Sequence, residues 1–281
     1  MTIGAYHQTY TILEKRELAP KTYYFKVHAP LIARKIQAGQ FVIVRPNKKS
    51  ERMPLSIAGW DREKGYLEIV IMAAGFTSGE ATDKNVGEAF ADMVGPLGQR
   101  SHVKKYDGAC VLMGGGYGVG AIIPTARDLR ALGNKVYGVV GARSKDLLLL
   151  VDELTAACDE VIVTTNDGSA GIEGFVTHAL DAVMAKEKVS MTLSVGPVPM
   201  MKAVADKLRD SDIEAWVSLN AIMVDGTGMC GACRVTVGGA TRFACFHGPD
   251  FDGKQVDFAE LMTRQKMFND KEKIALEAVG K

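Results

Sequence analysis

Three cysteines, Cys230, Cys233 and Cys245, fall within sixteen residues near the end of this sequence. The loop before them reads Asp225-Gly-Thr-Gly-Met-Cys230-Gly-Ala-Cys233, so the spacing counted from Asp225 is D-x4-C-x2-C-x11-C. Plant-type ferredoxins hold a [2Fe–2S] cluster with C-x4-C-x2-C…C spacing. Here an aspartate takes the first position, and a carboxylate oxygen can also ligate iron. Glycines 226, 228 and 231 let the loop wrap tightly and aim backbone N–H groups at sulfide. A structural zinc site and unligated thiols are the competing readings. Zinc is usually held by two C-x2-C pairs, and only one such pair is present. His247, two residues past Cys245, reads as a solvated histidine rather than a ligand. Cys110 and Cys158 stand alone and read as small buried hydrophobes.

Two further segments suit phosphates. Met113-Gly-Gly-Gly116-Tyr-Gly118-Val-Gly120-Ala121 follows an apolar run, and Gly116-x-Gly118-x-x-Ala121 fits G-x-G-x-x-[G/A]. That pattern gives a tight turn, close backbone approach to a pyrophosphate and a helix N-terminus. The next strand ends Gly141-Ala-Arg143, without the acid that would hold a ribose. An arginine there suits a 2′-phosphate or caps a surface, so NADH and NADPH both stay open. The second segment is Gly75-Phe-Thr77-Ser78-Gly-Glu80, in which Thr77-x-x-Glu80 reads as a capping box and a helix start. Upstream, Arg52-Met53-Pro54-Leu55-Ser56 places a cation and a hydroxyl beside a strand. Together the two stretches suit a second dinucleotide.

The elements that must position these residues have three textures. Residues 1–103 read as short β-branched and aromatic strands (10–13, 23–27, 41–44, 66–72) punctuated by turns, the pattern of a small antiparallel barrel. Residues 104–220 alternate apolar runs (109–113, 135–140, 160–164, 189–195, 215–219) with helical patterns (121–132, 145–157, 171–186, 198–209), which implies a parallel, doubly wound sheet covered on both faces. Residues 221–281 are a glycine- and cysteine-rich loop, a short strand pair and a charged helical tail. This last piece is too small to hold itself together by apolar burial alone, and a metal would account for its folding.

Composition narrows the function classes. The 281 residues carry 34 Lys+Arg against 33 Asp+Glu, a formal charge of +1 that argues against a nucleic-acid binder. With 47% hydrophobic and 24% charged residues, the chain has the balance of a folded globular protein. The glycine-rich stretch 110–124 reads as a turn rather than a membrane span. The first ten residues hold no Lys or Arg and no signal-like apolar region, so a cytoplasmic protein is expected.

With these motifs in order, the sequence resembles the ferredoxin-reductase-like flavoproteins over nearly its whole length. Ala38-Gly-Gln40-Phe41, Pro54-Leu-Ser56, Gly75-x-x-Ser78 and Gly95-Pro-Leu-Gly98 look like their FAD barrel. Gly114-Gly-Gly-Tyr-Gly118, Asn166-Asp-Gly168-Ser169 and Gly196-Pro-Val-Pro-Met200-Met201 look like their pyridine-nucleotide domain. The cysteine tail is similar to that of the electron-transfer subunit of dihydroorotate dehydrogenase. It is closer to the small subunits of NADH-dependent ferredoxin:NADP⁺ oxidoreductase, also named sulfide dehydrogenase. Those have aspartate in the first ligand position, in surroundings like Ser218-Leu-Asn-Ala-Ile-Met-Val-Asp225, and a stretch like Gly248-Pro-Asp-Phe-Asp252.

The resemblance implies one FAD, NAD(H) and one [2Fe–2S] cluster held by Asp225, Cys230, Cys233 and Cys245. Carried over, Met53, Pro54, Leu55, Ser56, Val70, Ile71, Met72, Gly75, Thr77 and Ser78 line FAD, with Arg52 near the pyrophosphate. Gly115, Gly116, Gly118, Arg143, Asp167, Gly168, Gly196 and Pro197 surround the nicotinamide nucleotide. Many relatives have an arginine where Met53 stands, whereas the charge here is one position earlier. The cysteine often found before Gly-Pro in the wider family is Val195, so no thiol assists hydride transfer, and no acid–base catalyst is nominated. The resemblance also implies a larger partner, like the small subunit of glutamate synthase, carrying a second FAD and two [4Fe–4S] clusters. Through that partner the enzyme couples NADH and reduced ferredoxin to NADP⁺ by electron bifurcation. Electron transfer for NAD-dependent dihydroorotate oxidation is the alternative, although that family's first ligand is a cysteine. A zinc-stabilised nucleotide-binding regulatory module without turnover is a third reading.

Overall fold

The computed structural model describes residues 10–278. The expectation about the extreme N-terminus rests mostly on residues outside that range. Seven antiparallel strands come first: β1 (Tyr10–Ala19), β2 (Thr22–His28), β3 (Phe41–Arg45), β4 (Met53–Asp61), β5 (Tyr66–Met72), β6 (Ala89–Phe90) and β7 (Asp92–Leu97), with the short helices α1 (Pro30–Ala33) and α2 (Phe76–Asp83) between them. Their order in the sheet is β6-β1-β2-β5-β4-β3-β7. The two end strands are joined through Ala91 alone, whose N–H donates to Arg45 O, so the sheet curls until its ends nearly meet. Alternate residues of these strands fill the near-barrel, among them Ile12, Phe25, Val27, Leu67, Ile69 and Ile71.

A second sheet follows. β8 (Ala109–Gly115), α3 (Gly118–Ala131), β9 (Val136–Ala142), α4 (Val151–Ala157), β10 (Glu160–Thr165), β11 (Ile172–Glu173), α5 (Val176–Met184), β12 (Val189–Val195), α6 (Val198–Lys207) and β13 (Glu214–Ser218) alternate along the chain. The strands lie in the order β11-β10-β9-β8-β12-β13, all parallel. Every residue of β8 is buried, as a central strand covered on both faces requires. Ala58 and Val70 of the barrel pack into the same core as Ile122 and Ile123 of α3, so the two sheets share apolar interior.

The remaining chain forms β14 (Arg234–Val237), β15 (Ala240–Phe243), α7 (Ala244–His247), β16 (Asp250–Asp252), α8 (Phe258–Gln265) and α9 (Asn269–Glu277). The expectation that a metal would account for the folding of this segment took it as a separate body, whereas the structure packs it onto both sheets. Cys233, Val235, Ala244, Cys245, Phe258 and Leu261 sit in one cluster with Phe41 and Ile43 of β3 and with Val198 and Met201 of α6. The segment borrows a core from both sheets, and β16 pairs antiparallel with β13. Among the described residues, no helix is long and apolar enough to cross a membrane.

Candidate cofactor sites

The first site arises where β4 changes partner. Its residues 57–61 pair with β5, from Ile57↔Ile69 to Asp61↔Tyr66, with a break in register at Ala58. Its residues 53–56 pair instead with β3, from Val44↔Met53 to Phe41↔Ser56. Past Ile69, β5 keeps only β2 beside it, through Tyr24↔Val70, Tyr23↔Ile71 and Thr22↔Met72. The strands therefore part, and the facing main-chain groups of 53–56 and 70–72 are left outside the ladder. A cleft of this kind can offer backbone donors and acceptors to a ligand. It brings Met53, Pro54, Leu55, Ser56, Val70, Ile71 and Met72 together. Ile71 faces the barrel core and Val70 packs near Gly120, so these two would present main chain, while Met72 is 40% exposed. Arg52, just before β4, is exposed.

Helix α2 begins four residues past β5. The expected capping box, Thr77 with Glu80, does not form. The helix starts two residues earlier, capped at Gly75, and Ser78 Oγ reaches back to accept from the N–H groups of Ala74 (3.0 Å) and Gly75 (2.9 Å). Glu80 turns outward and accepts from Ser50 Oγ (2.7 Å) and Asn47 Nδ2 (3.2 Å), which fixes the turn leading into Arg52. The N–H of Phe76 donates to Glu272 Oε1 of α9 at 2.5 Å. A side chain built on Gly75 would meet that carboxylate at 2.3 Å. The carboxylate thus stands where a helix N-terminus attracts a phosphate. Open main chain leading to an anion position fits a dinucleotide.

The second site lies at the carboxyl ends of the parallel strands. Strand order reverses between β8 and β12, and open α/β sheets bind ligands at this switch point. The loops there carry Gly116 and Gly118 after β8, Arg143 after β9, Asp167 and Gly168 after β10, and Gly196 and Pro197 after β12. β8 runs on to Gly115 and α3 opens at Gly118, so the intervening turn is tighter than the sequence suggests. A Cβ on Gly118 would lie 2.2 Å from Val195 O, and one on Gly115 would lie 2.6 Å from Met200 Sδ. Only glycine lets the two strand ends approach this closely. Asp167 accepts from Ser169 N (3.0 Å) and Ser169 Oγ (2.6 Å), bonds that hold its carboxyl below the usual carboxylate range. Its N–H bonds Arg143 O, so these two loops brace each other, with the Arg143 side chain exposed.

The third site is the cysteine loop. Cys233 and Cys245 are buried with their sulfurs 3.2 Å apart, beyond disulfide length, while Cys230 is exposed. Burial and the neighbouring Cys233 push the Cys245 thiol up to about 12. Asp225 accepts from Thr227 N (2.9 Å) and Cys230 N (2.8 Å), contacts that draw its carboxyl below the usual range. These bonds wrap the loop so that Asp225 and Cys230 share one turn. Arg264 of α8 braces it by donating to Ala232 O (3.0 Å). Among the described residues no three His, Cys, Asp or Glu side chains converge on a single ion. Paired thiols plus a second pair of donors on a glycine-rich turn suit a two-iron centre, in which no single ion takes all four. His247 is not aimed at this group: its Nδ1 accepts from Phe243 N (3.0 Å). Cys110 and Cys158 are buried, and burial pushes both thiols up to about 12.

The model of the iron–sulfur cluster binding domain of dihydroorotate dehydrogenase B matches residues 220–257. A Thermotoga maritima homologue of the dihydroorotate dehydrogenase B (NAD(+)) electron transfer subunit is 43% identical over 95% of this chain and 94% of its own length. The chain belongs to this family of electron-transfer subunits. The corresponding subunit of Desulforamulus reducens is 32% identical over 85% of this chain and 94% of its own. A solved structure of an NADH-dependent reduced ferredoxin-NADP oxidoreductase, reported for its insights into flavin-based electron bifurcation, superposes with a TM-score of 0.91 at 41% identity. It covers 99% of this chain and 100% of that one. Phthalate dioxygenase reductase, at 18% identity and a TM-score of 0.60, shares the fold. As a member of the family this chain is an electron-transfer flavoprotein subunit of an oxidoreductase, with an iron–sulfur binding domain on an FAD/NAD-binding reductase fold.

Two residues take places in these sites that sequence reasoning did not give them, Glu272 having been read there only as part of a solvated or partner-facing helix. Glu272 lies in a charged helical tail and only the fold brings it to α2. Asp250, inside a motif noted for its resemblance alone, is buried against Ser101.

Proposed function

We propose that this chain takes electrons from NADH at a flavin held in the barrel and relays them through a [2Fe–2S] cluster to a larger subunit, in an electron-bifurcating NADH/ferredoxin:NADP⁺ transhydrogenase. The observation that carries this reading is end-to-end superposition on a bifurcating oxidoreductase at 41% identity. Bound FAD and cluster would supply the conversion of a hydride pair into single electrons. The protein's part is placement. Main chain of 53–56 and 70–72 would hold the flavin, with Arg52, Gly75, Thr77 and Ser78 around its diphosphate. Glu272 would yield that position. Gly115, Gly116, Gly118, Gly196 and Pro197 would seat the nicotinamide nucleotide at the switch point, with Arg143, Asp167 and Gly168 shaping its rim. Asp225, Cys230, Cys233 and Cys245 would ligate the two irons. On this reading residues 1–103, 104–220 and 221–281 are the FAD, NAD and cluster domains. The partner carries a second flavin and further iron–sulfur clusters and meets ferredoxin, in the cytoplasm.

A second reading is favoured by the relatives named for dihydroorotate dehydrogenase B. Anaerobic co-purification from the native host, with iron and flavin counted per complex, separates the two. A partner that adds flavin and iron well beyond one [2Fe–2S] cluster supports the transhydrogenase. A partner that adds flavin and no iron moves the assignment to dihydroorotate oxidation.

A further inference from the structure

Asp250 is a buried carboxyl at the meeting point of all three parts of the chain. Its Oδ2 accepts from Ser101 Oγ at 2.6 Å, and Ser101 Oγ accepts from Thr125 Oγ1 of α3 at 3.2 Å. Its Oδ1 is buried and accepts no well-formed hydrogen bond among the described residues, the Ser218 hydroxyl interacting with the carboxyl only weakly. An orphaned buried carboxylate oxygen is costly, whereas a protonated carboxyl is not. The carboxyl borders a cavity of about 10 Å³, the threshold for one water, that it shares with Ser56 of the flavin cleft and Val195 of the switch point. It also lines an open cleft of about 380 Å³ with Arg100, His102, Lys104 and His247. The carboxyl therefore lies between the flavin cleft and solvent.

We propose that Asp250 is the redox-linked proton site of this subunit: its carboxylate binds one proton as electrons are stored beside Ser56, and gives it up as they leave for the cluster. The inference rests on the flavin reading above. The balance is simple. NADH delivers a hydride, which carries two electrons and one proton. One further proton from solvent forms an O–H bond on Asp250 and screens the added negative charge. When the electrons have left singly, that O–H bond breaks, and its proton and the one that arrived with the hydride both return to solvent. Nothing but the flavin and its two redox partners changes oxidation state.

The surroundings suit this task. None of the ion pairs of the described residues involves Asp250. Lys104 is taken by Glu214 at 2.6 Å. His102 stacks on Trp216 at 3.5 Å; burial holds its imidazole below the usual histidine range, and the charge it carries draws the Asp250 carboxyl down in part. Thr125 from α3, Ser218 from β13, and Gln40 and Ser56 from the barrel are uncharged. Arg100 and His247 line the same cleft as the carboxyl and form no ion pair with it. Burial accordingly pushes the Asp250 carboxyl above the usual range, and the hydroxyls of Ser101 and Ser218 offset this in part. A nearby negative charge pushes it further in the same direction, which is the linkage required.

The test is the midpoint potential of bound flavin against pH, in the full-length FAD-loaded protein and its Asp250→Asn variant. The wild type should show a pH interval in which reduction takes up one extra proton per two electrons. That steepens the slope by about 30 mV for each tenfold change in proton concentration. Asp250→Asn should bind FAD and lack the steeper interval. Ser101→Ala keeps the carboxyl, loses one stabilising donor, and should move the interval to higher pH; it also serves if the asparagine variant fails to fold. Infrared difference spectra on reduction should show a protonated carboxyl band that Asp250→Asn abolishes. Identical slopes in wild type and variant, with no such band, overturn the assignment while leaving the flavin reading intact. A protein that takes up no FAD at all overturns both.

Discussion

Replacing Cys233 by alanine separates two accounts of how residues 221–265 stay folded. The thiol is 2% exposed and belongs to the cluster of apolar side chains shared with β3 and α6. Its removal deletes one group of roughly methyl size from a core that keeps Phe41, Val198, Val235 and Leu261. Deletions of that size cost about 1 kcal/mol, which is about a fivefold change in an opening equilibrium. If a metal supplied the folding energy, the scale would be about 10–16 kcal/mol, and losing one ligand would leave the segment open. The assay is hydrogen exchange across β14 and β15, measured with iron content on the same sample. The expected result is disturbed or missing iron, FAD still bound, and hairpin protection within about tenfold of wild type. Exchange of the hairpin at the rate of an unfolded chain would refute the shared-core account. It would restore the metal as the reason this segment folds.

Other perturbations probe other sites. Gly118→Ala puts a Cβ 2.2 Å from Val195 O, so stability should fall by about 1–3 kcal/mol and NADH affinity should drop while FAD binding holds, as read by thermal melts and separate titrations. Glu272→Gln removes a charge from the N-terminus of α2, a contact of about 0.3–1 kcal/mol, so FAD should bind the apoprotein about two- to fivefold more tightly by flavin fluorescence. Asp250 also sets a stability profile. Its carboxyl is raised in the folded state, so its contribution is whole below the ordinary carboxylate value of about 4 and is lost as pH rises through the raised one. Urea midpoints of Asp250→Asn should therefore match wild type in acid and exceed it increasingly toward neutral pH.

The parallel sheet was the most legible part of the chain. Its strands are continuous apolar runs, and 189–195 is a strand with the bounds the sequence suggests. The barrel was harder. β4 escapes notice because Pro54 interrupts it and because half of it serves one neighbour and half another, a split no local pattern records. The helix after β5 was expected from the wrong pair, since a glycine cap with Ser78 reaching back has no side chain at its first position to read. The cysteine spacing identified the loop, while the judgement on how the segment around it folds left out the rest of the chain. That judgement treated 221–281 as a body of its own, whereas Phe41 and Met201, far off in sequence, supply its interior. Glu272 and Asp250 act through partners 196 and 149 residues away, and nothing in their own neighbourhoods announces either contact.

Strand β16 has one more consequence. β13 is the outermost parallel strand, and without β16 its outward row of N–H and C=O groups would be open to any extended chain that met it. Exposed sheet borders of this sort recruit other molecules into intermolecular pairing. Three residues just past the last cysteine close that border through Trp216↔Asp252, Val217↔Phe251 and Ser218↔Asp250. Cutting the chain before the cysteine loop would therefore leave a reductase with a sticky flank, prone to self-association. The segment that would carry the last electron relay also closes the border of the parallel sheet.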